Sequence, residues 1–499
     1  SSGGFKMGFS VMNPKDISLG TGNMDITGKE EQSRSISQFA RLNYAYDDKY
    51  MLEATVRRDG YDTFGPDNRY AVFPSFSIGW NLHREAFIAD NIPAISLLKL
   101  RGGWGKIGSN NIAKFMYESA FVNDNLYYSW DDQSVVRGFW YKYMANRGIQ
   151  CEKIAQGDAG LDIGLFNNRL NASVEYYNKK TTDMLYKIPV AYSVGVPDLN
   201  FSANLGEISN KGWDFMLQWR DNVRDFYYDI SLTLSQNKNK VERLSDELNP
   251  QLWFNTGYAD ANYLTENGSP MGQMYGFVVE KIFQEQSEID ALNAKAEGGY
   301  YQTAGTAPGD FMYKDLDGDG RITNEDRQII GNPWPEFIYG LNMNLSWKGF
   351  NLSMAWSGTS EFSINNQART MYNTFSGDQN TTYDVFKAWT PENRGAVNPR
   401  VTLDDPNGNF RKFSTYFVDD VRYFKLKKLH FGYSLPKTLL SKVGLSGAEV
   451  FFNGSNLLTI TNFKGDDPEM GGYQLTRNNY TPLREPVTRN VSFGLTLNL

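Results

Sequence analysis

The sequence predicts an all-β protein, a transmembrane antiparallel β-barrel with long extracellular loops at one rim and short periplasmic turns at the other. Three observations carry this prediction. Long hairpins alternate apolar and polar residues, and the connections between candidate strands are strongly unequal in length. Aromatic residues make up 15% of the chain, with 46 glycines. The mean hydropathy of −0.51 excludes a helical membrane protein, which needs runs of about 20 apolar residues.

The hairpin from Leu341 to Trp356 has the clearest alternation. A two-residue turn at Lys348 and Gly349 would set apolar side chains opposite one another. The predicted cross-strand pairs are Trp347 with Phe350, Leu345 with Leu352, Met343 with Met354, and Leu341 with Trp356. The same spacing predicts apolar pairs around 167–168 and around 47–49. One face of these ribbons should therefore contact lipid and the other the lumen.

Fourteen segments alternate over about ten residues, the length that crosses a bilayer at a tilt. They lie near 35–46, 50–60, 70–82, 97–107, 154–166, 169–180, 204–219, 226–238, 271–283, 335–347, 350–358, 421–435, 447–458 and 487–499. The longest connections are 108–152, 239–270, 284–334 and 359–415. The strand at 421–435 changes phase at Lys427 and Lys428, which predicts a β-bulge. A soluble β-sandwich or propeller, whose strands also alternate, is the alternative fold.

Composition excludes several classes of function. The net charge of −7 gives no reason to expect nucleic-acid binding. Cys151 is the single cysteine, so the chain can form neither an internal disulfide nor a thiolate metal cluster. There is no glycine-rich phosphate loop and no nucleophile elbow. Nor does the sequence pair two carboxylates at the separation that a glycosidase needs. We therefore expect no enzymatic activity.

One segment has the spacing of a calcium-binding loop. Acidic residues at positions one, three, five and twelve, with a backbone carbonyl at position seven, match an EF-hand-like loop. The candidate ligands are Asp315, Asp317, Asp319, Arg321 through its carbonyl, and Asp326. A Ca²⁺ ion here would brace a surface loop and not drive a reaction. The alternative is an Asp-Gly-rich turn that matches by chance, and we expect no other cofactor.

Aromatic residues cluster in two of the long loops. Rings of this kind stack on sugars, but they also pack loops against one another. The candidate substrate contacts are Tyr127, Tyr128, Trp130, Trp140, Tyr141, Trp253 and Tyr258. Neither reading is excluded by the sequence.

Five segments resemble the SusC-like TonB-dependent outer-membrane transporters of Bacteroidota. They are 57–80, 160–170, 309–342, 423–436 and 456–469, in the order the family has them. The resemblance implies a barrel of about twenty-two strands, filled by a plug domain that is coupled to TonB. It also implies a SusD-like surface lipoprotein as partner and the import of large nutrients, either oligosaccharides or peptides.

The resemblance also suggests how the chain is divided. Residues 1–34 would be an entry segment, either a loop or the end of a strand, and residues 35–499 the barrel portion. The chain begins Ser1-Ser2-Gly3-Gly4 without an initiator Met, so we expect a fragment or a processed product. The plug and about eight strands would then lie in a remaining amino-terminal part. The expected location is the outer membrane, crossed many times. The alternative function is a soluble secreted all-β protein that binds or cleaves glycans.

Overall fold

The computed structural model describes most of the chain. The described residues are 2–6, 25–29, 33–119, 121–122, 127–131, 134–137, 140–141, 144–189, 193, 200–244, 251–255, 262–373, 381–440, 444–469, 479–480 and 487–498. Side chains are not described at 2–6, 25–29, 121–122, 127–131, 134–137, 140, 187–189, 200, 255 and 479–480.

Thirteen long strands form one antiparallel meander, in which each strand pairs with its neighbours in sequence. They are β1 Ser35–Tyr46, β2 Tyr50–Tyr61, β3 Tyr70–Asn81, β4 Ile95–Ser109, β5 Glu152–Leu165, β6 Leu170–Thr182, β7 Glu207–Val223, β8 Phe226–Arg243, β9 Phe337–Trp347, β10 Phe350–Asn366, β11 Val418–Ser434, β12 Gly447–Thr461 and β13 Asn490–Asn498. A fourteenth strand of the sheet, Asn479–Tyr480, pairs in parallel with the end of β10. Within the described residues β1 and β13 each pair along one edge only, so the sheet has two free edges.

The register of this sheet confirms the three predicted hairpins. Every apolar pair predicted between β9 and β10 is present, as are those between β5 and β6 and between β1 and β2. The turn residues Lys348 and Gly349 have φ angles of 45° and 89°, which suit the two-residue turn of a tightly twisted hairpin. The predicted bulge is also confirmed, because the pairing of β11 shifts between Leu426 and Lys428.

The apolar face of the sheet is exposed. Phe215, Leu217 and Leu232 lie on this face in the middle of the sheet and keep 41%, 45% and 49% of their surface accessible. The alternate positions along each strand point to the opposite face, and their side chains are polar, as Asp214 and its cross-strand neighbours Glu175 and Ser235 show. A soluble sandwich would bury the first face against a second sheet. The arrangement therefore contradicts that alternative and fits a wall whose outer face meets hydrocarbon.

The connections alternate between two unequal rims. The turn rim carries 47–49, 82–94, 166–169, 224–225, 348–349 and 435–446. The loop rim carries the described parts of 62–69, 110–151, 183–206, 244–336, 367–417 and 462–489. Short turns on the periplasmic side and long loops on the extracellular side are the pattern of outer-membrane barrels.

The prediction of a wall strand at 271–283 was wrong. This segment forms two short strands in separate small sheets at the loop rim, Gln273–Phe277 and Val279–Ile282. Its alternation serves a small buried sheet, since Met274 and Phe277 are almost fully covered by other loop residues. The alternation of apolar residues alone does not show whether lipid or other protein side chains cover the apolar face.

The remaining elements are short. The other strand pairs are Ser2–Lys6 with Asp25–Lys29, Phe121–Val122 with Trp140–Tyr141, Tyr127–Asp131 with Ser134–Arg137, Leu185–Pro189 with Asn200–Asn204, and Val279–Ile282 with Phe311–Tyr313. A four-stranded sheet contains Gln251–Asn255, Asn262–Glu266, Gln273–Phe277 and Arg327–Gly331. The α-helices are Ala86–Ala89, Gln286–Asn293, Gln367–Asn373 and Lys437–Leu440. Among the described residues, no helix combines the length and the apolar character needed to cross a membrane.

Candidate functional site

Two of the long loops fold together into what we term the loop domain, residues 251–331 and 381–417 in their described parts. They share two apolar cores. One core contains Tyr263, Met274, Phe410, Phe413 and Phe417. The other contains Phe277, Ile282, Phe311, Tyr313 and Trp389. Because each core contains residues from both loops, the two loops pack into one body and do not fold independently.

A buried ion pair joins the same two loops. The carboxylate of Asp310 is fully buried and accepts hydrogen bonds from Arg400, with Nε to Oδ1 at 2.7 Å and the second guanidinium nitrogen to Oδ2 at 3.0 Å. The side-chain amide of Asn409 donates to Oδ1 at 2.9 Å, and the backbone N–H of Ala307 donates to Oδ2 at 2.9 Å. A buried carboxylate is tolerated when both of its oxygens are satisfied in this way.

Three of the predicted calcium ligands come together in the loop domain. Carboxylate oxygens of Asp315, Asp317 and Asp326 all lie within 4.8 Å of one another. The loop closes because Asp315 accepts the backbone N–H groups of Gly318 and Gly320 at 2.7 and 2.8 Å. Both glycines have positive φ angles, 78° and 79°, which residues with a Cβ rarely adopt.

Asp326 anchors this loop through hydrogen bonds to its backbone. It is fully buried, and its two oxygens accept the N–H groups of Leu316 and Thr323, each at 2.7 Å. The group of three does not include Asp319, whose Oδ1 accepts the backbone N–H of Arg321 at 2.7 Å. Carboxylate and carbonyl oxygens are the donors that Ca²⁺ prefers, so the chemistry of the loop fits this ion.

Burial perturbs a tyrosine beside the loop. Tyr301 packs with Phe283 and Ile289 and accepts the N–H of Ile322 through its carbonyl at 2.7 Å. Its burial, together with the charge of Asp315, raises the pKa of the phenol to about 12. The acidic loop is thus anchored on an apolar core while Asp317 and Asp319 stay accessible to solvent.

Of the seven aromatic substrate contacts predicted from the sequence, two have side chains that the structure describes. Trp253 is 43% exposed, with its ring edge-on to Tyr275 at 5.0 Å between centroids, and Tyr141 is half exposed. Only the backbone of Tyr127, Tyr128, Trp130 and Trp140 is described. Tyr258 lies outside the described residues.

Sequence reasoning missed a charged cluster on the polar face of the wall. Arg101 of β4 reaches Asp162 at 3.2 Å and Glu175 at 2.5 Å, two strands away. It crosses over Gly160, where a Cβ would lie 2.8 Å from the guanidinium carbon. The only signal in the sequence was the polar parity of these positions, since the partners lie 61 and 74 residues from Arg101.

A meander of long strands with an apolar outer face, a polar inner face and folded loops on one rim is the wall of an outer-membrane β-barrel. The chain belongs to the TonB-dependent receptor-like β-barrel family, whose model matches residues 6–275, more than half of its length. The resemblance to SusC-like proteins is thereby confirmed.

Individual relatives agree with the family. TonB-dependent receptor P3 of Formosa agariphila is 33% identical over 462 residues, which cover 91% of this chain and 44% of that protein. TonB-dependent receptor SusC of Bacteroides thetaiotaomicron is 28% identical over 452 residues, 87% of this chain and 41% of that protein. The chain spans about half the length of the curated relatives it matches. The RagAB peptide transporter superposes with a TM-score of 0.74 at 23% identity, over 97% of this chain and 49% of that one, which supports the same fold.

Proposed function

We propose that the chain forms the larger part of the wall of an outer-membrane transporter, which imports large nutrients in a TonB-dependent manner. The observation that carries the proposal is the outward apolar face of a thirteen-stranded meander in a chain of this receptor family. The resemblance to SusC-like transporters makes oligosaccharides or peptides the candidate cargo, and a peptide transporter shares the fold. We propose no enzymatic activity, because the related proteins are receptors and transporters.

Residues 35–499 would act as barrel wall, with residues 1–34 as an entry segment. The free edges of β1 and β13 support a further part of the transporter. Unpaired strand edges are not tolerated in hydrocarbon, because each exposed amide costs several kcal/mol. Strands from a remaining amino-terminal part would close the barrel, and a plug from the same part would contact TonB. A SusD-like lipoprotein would cover the loop rim and hold the cargo above the lumen.

Fractionation and uptake together test this function. We expect the protein to sediment with outer membranes, to need detergent for extraction and to co-purify with a surface lipoprotein. Cells that depend on it for growth on a peptide or glycan should lose growth when TonB is removed. Recovery in the soluble fraction without detergent would support the alternative, a secreted glycan-binding or glycan-cleaving protein.

We also propose that the loop of residues 315–326 holds Ca²⁺ and thereby stabilises the loop domain. The close carboxylates of Asp315, Asp317 and Asp326 support this, and Asp319 and the carbonyl of Arg321 would complete the oxygen set. The four candidate carboxylates in this loop repel one another unless a cation offsets their charge.

Calorimetry tests the calcium proposal. We expect Asp317→Asn to weaken calcium binding and to speed proteolysis of the loop domain. The control is Asp290→Asn, because Asp290 lies on the exposed surface of the helix Gln286–Asn293. No heat of binding at millimolar calcium would remove the ion from the proposal, leaving an Asp-Gly-rich turn held by its own backbone.

A further inference from the structure

A cavity opens on the lumen side of the wall just below the loop domain. It has a volume of about 490 Å³ and is lined from strands β5 to β8 and from the loop that follows β8. Its lining residues on β6, β7 and β8 have the parity of the polar face, as Tyr177, Asn210 and Asn237 show. A cargo that passes through the lumen would meet this surface after it leaves the loops.

Three asparagines in the cavity form a ladder whose direction is fixed. The backbone N–H of Met271 donates to Oδ1 of Asn239 at 2.9 Å, which assigns the oxygen of that amide. The Nδ2 of Asn239 then donates to Oδ1 of Asn210 at 3.0 Å. Asn237 donates to the same oxygen at 3.3 Å and accepts from the hydroxyl of Tyr177 at 3.1 Å. All three amide oxygens therefore already accept a hydrogen bond.

Gly212 makes this ladder possible. It lies between Tyr177 and Asn237 in the register of the sheet. A Cβ at position 212 would be 2.7 Å from the Tyr177 hydroxyl and 1.8 Å from the carbonyl oxygen of Gln236. Glycine is thus required for the tyrosine to cross the strand and reach the amide.

The ladder leaves hydrogen-bond donors free. Among the described residues, the amide nitrogen of Asn210 has no hydrogen-bond partner and the ammonium group of Lys179 has no ion pair, and both residues line the cavity. Met184, Ile208 and Met271 form an apolar part of the lining. The lining also contains the carboxylate of Glu152, which accepts the backbone N–H of Leu185 at 3.3 Å. The site therefore offers donors and an acceptor beside an apolar surface.

We propose that this cavity is a subsite for a peptide segment of the cargo. A peptide backbone would accept hydrogen bonds from Asn210 and Lys179 through its carbonyl oxygens and donate to Glu152 through its N–H groups, while an apolar side chain would pack against the two methionines. A glycan has no apolar side chain to cover Met184, Ile208 and Met271, and its hydroxyls would face this part of the lining without hydrogen-bond partners. The subsite rests on the proposed import function, since it is useful only if cargo enters the lumen.

The substitution Asn210→Asp tests the subsite. An aspartate has the same shape and can still accept from Asn237 and Asn239, but it replaces the free N–H donors by an acceptor. The full protein, extracted in detergent with its co-purifying partners, is incubated with a tryptic digest of casein or with maltoheptaose. Retained probe is then counted by mass spectrometry after gel filtration. At a subsaturating concentration we expect Asn210→Asp to retain about tenfold less peptide. The peptide carbonyl would lose a hydrogen bond and would face a negative charge instead.

Asn344→Asp is the matched control. Asn344 also lies on the polar face, where its Oδ1 accepts from Ser353 at 2.7 Å, but it is far along the strand towards the turn rim. It should retain peptide as the wild type does, because it leaves the cavity lining unchanged, and thermal unfolding checks that both variants are folded. Equal peptide retention by Asn210→Asp and wild type would overturn the subsite, and so would retention of maltoheptaose in place of peptide. Import by wild-type cells is measured separately, and its absence would overturn the transport function while the retention assay still decides the subsite.

Discussion

The wall and the loop domain treat their large apolar side chains in opposite ways. In the wall, Phe215, Leu217 and Leu232 point away from the polar face and stay exposed. In the loop domain, Tyr263 and Phe417 are fully buried against other side chains. The difference teaches that two media cover apolar residues in one chain, hydrocarbon around the wall and a dry interior in the loops. The same type of substitution should therefore have different effects in the two regions.

The largest expected effect is in the loop domain. Phe417→Ala should lower its local stability by about 3 to 5 kcal/mol, because the change leaves a cavity in a packed core. Amide hydrogen exchange in the strand Gln273–Phe277, which belongs to this core region, measures the loss. Phe493→Ala in β13 is the comparison, since Phe493 is 80% exposed on the wall and should cost much less. Equal costs would remove the distinction between the two regions.

The converse test places a charge on the wall. Leu232→Arg should destabilise the protein in lipid by about 2 to 4 kcal/mol, because Leu232 faces outward near the middle of the sheet. Thr233→Arg lies at the same depth on the polar face and should be much milder. Leu345→Arg, only three residues from the turn at Lys348, should fall between them, since the cost declines towards the interface. Unfolding in lipid vesicles compares the three, and equal damage at 232 and 233 would contradict the assigned faces.

A smaller effect is expected on the polar face of the wall, and it tests whether side chains there are packed as tightly as in a core. Gly212→Ala should cost about 1 to 3 kcal/mol, because the added Cβ meets the Tyr177 hydroxyl and the Gln236 carbonyl. Gly395→Ala is the control, since a Cβ there meets nothing within 4 Å. Thermal unfolding of both variants decides, and equal transitions would show that Tyr177 moves aside without cost.

The smallest expected effect is a pH dependence confined to the loop domain. Burial lowers the pKa of Lys412 to about 8, with its ammonium 5.0 Å from the centre of the Tyr313 ring. Between about pH 8 and 10 the unfolded segment holds a proton that the folded one has lost, so local stability should rise with pH in this window. Measurements should stop below pH 10, because burial raises the pKa of Tyr313 well above its ordinary value and reverses the trend there. Lys412→Met should abolish the rise in hydrogen-exchange protection, and a retained rise would assign it to another group.

The sequence was sufficient for the wall and insufficient for the loops. Alternation and turn length determine register in a hairpin, so the pairs of Leu345 with Leu352 and Leu161 with Val174 followed from local sequence. The segment 271–283 failed because its period is satisfied by a small core made with Phe410 and Phe413 from another loop. Such partners lie more than a hundred residues away, and no local pattern identifies them.

The candidate sites divide in the same way. The spacing of Asp315, Asp317 and Asp326 sufficed to predict that they would come together, because one short loop contains them all. The amide ladder of Asn210, Asn237 and Asn239 was not predicted, since it depends on the pairing of β7 with β8 and on a backbone N–H from the following loop. The alternation of polar residues along a strand identifies which face of the sheet a side chain lies on, but not its hydrogen-bond partner.

The crossings over Gly160 and Gly212 determine how far two long side chains project from the polar face of the sheet. Arg101 and Tyr177 lie along the sheet instead of standing perpendicular to it, because glycine leaves the intervening strand without a side chain. Each long polar group is thus folded back against the sheet. A wall built in this way can carry charged and aromatic residues on its polar face without long side chains that stand away from it.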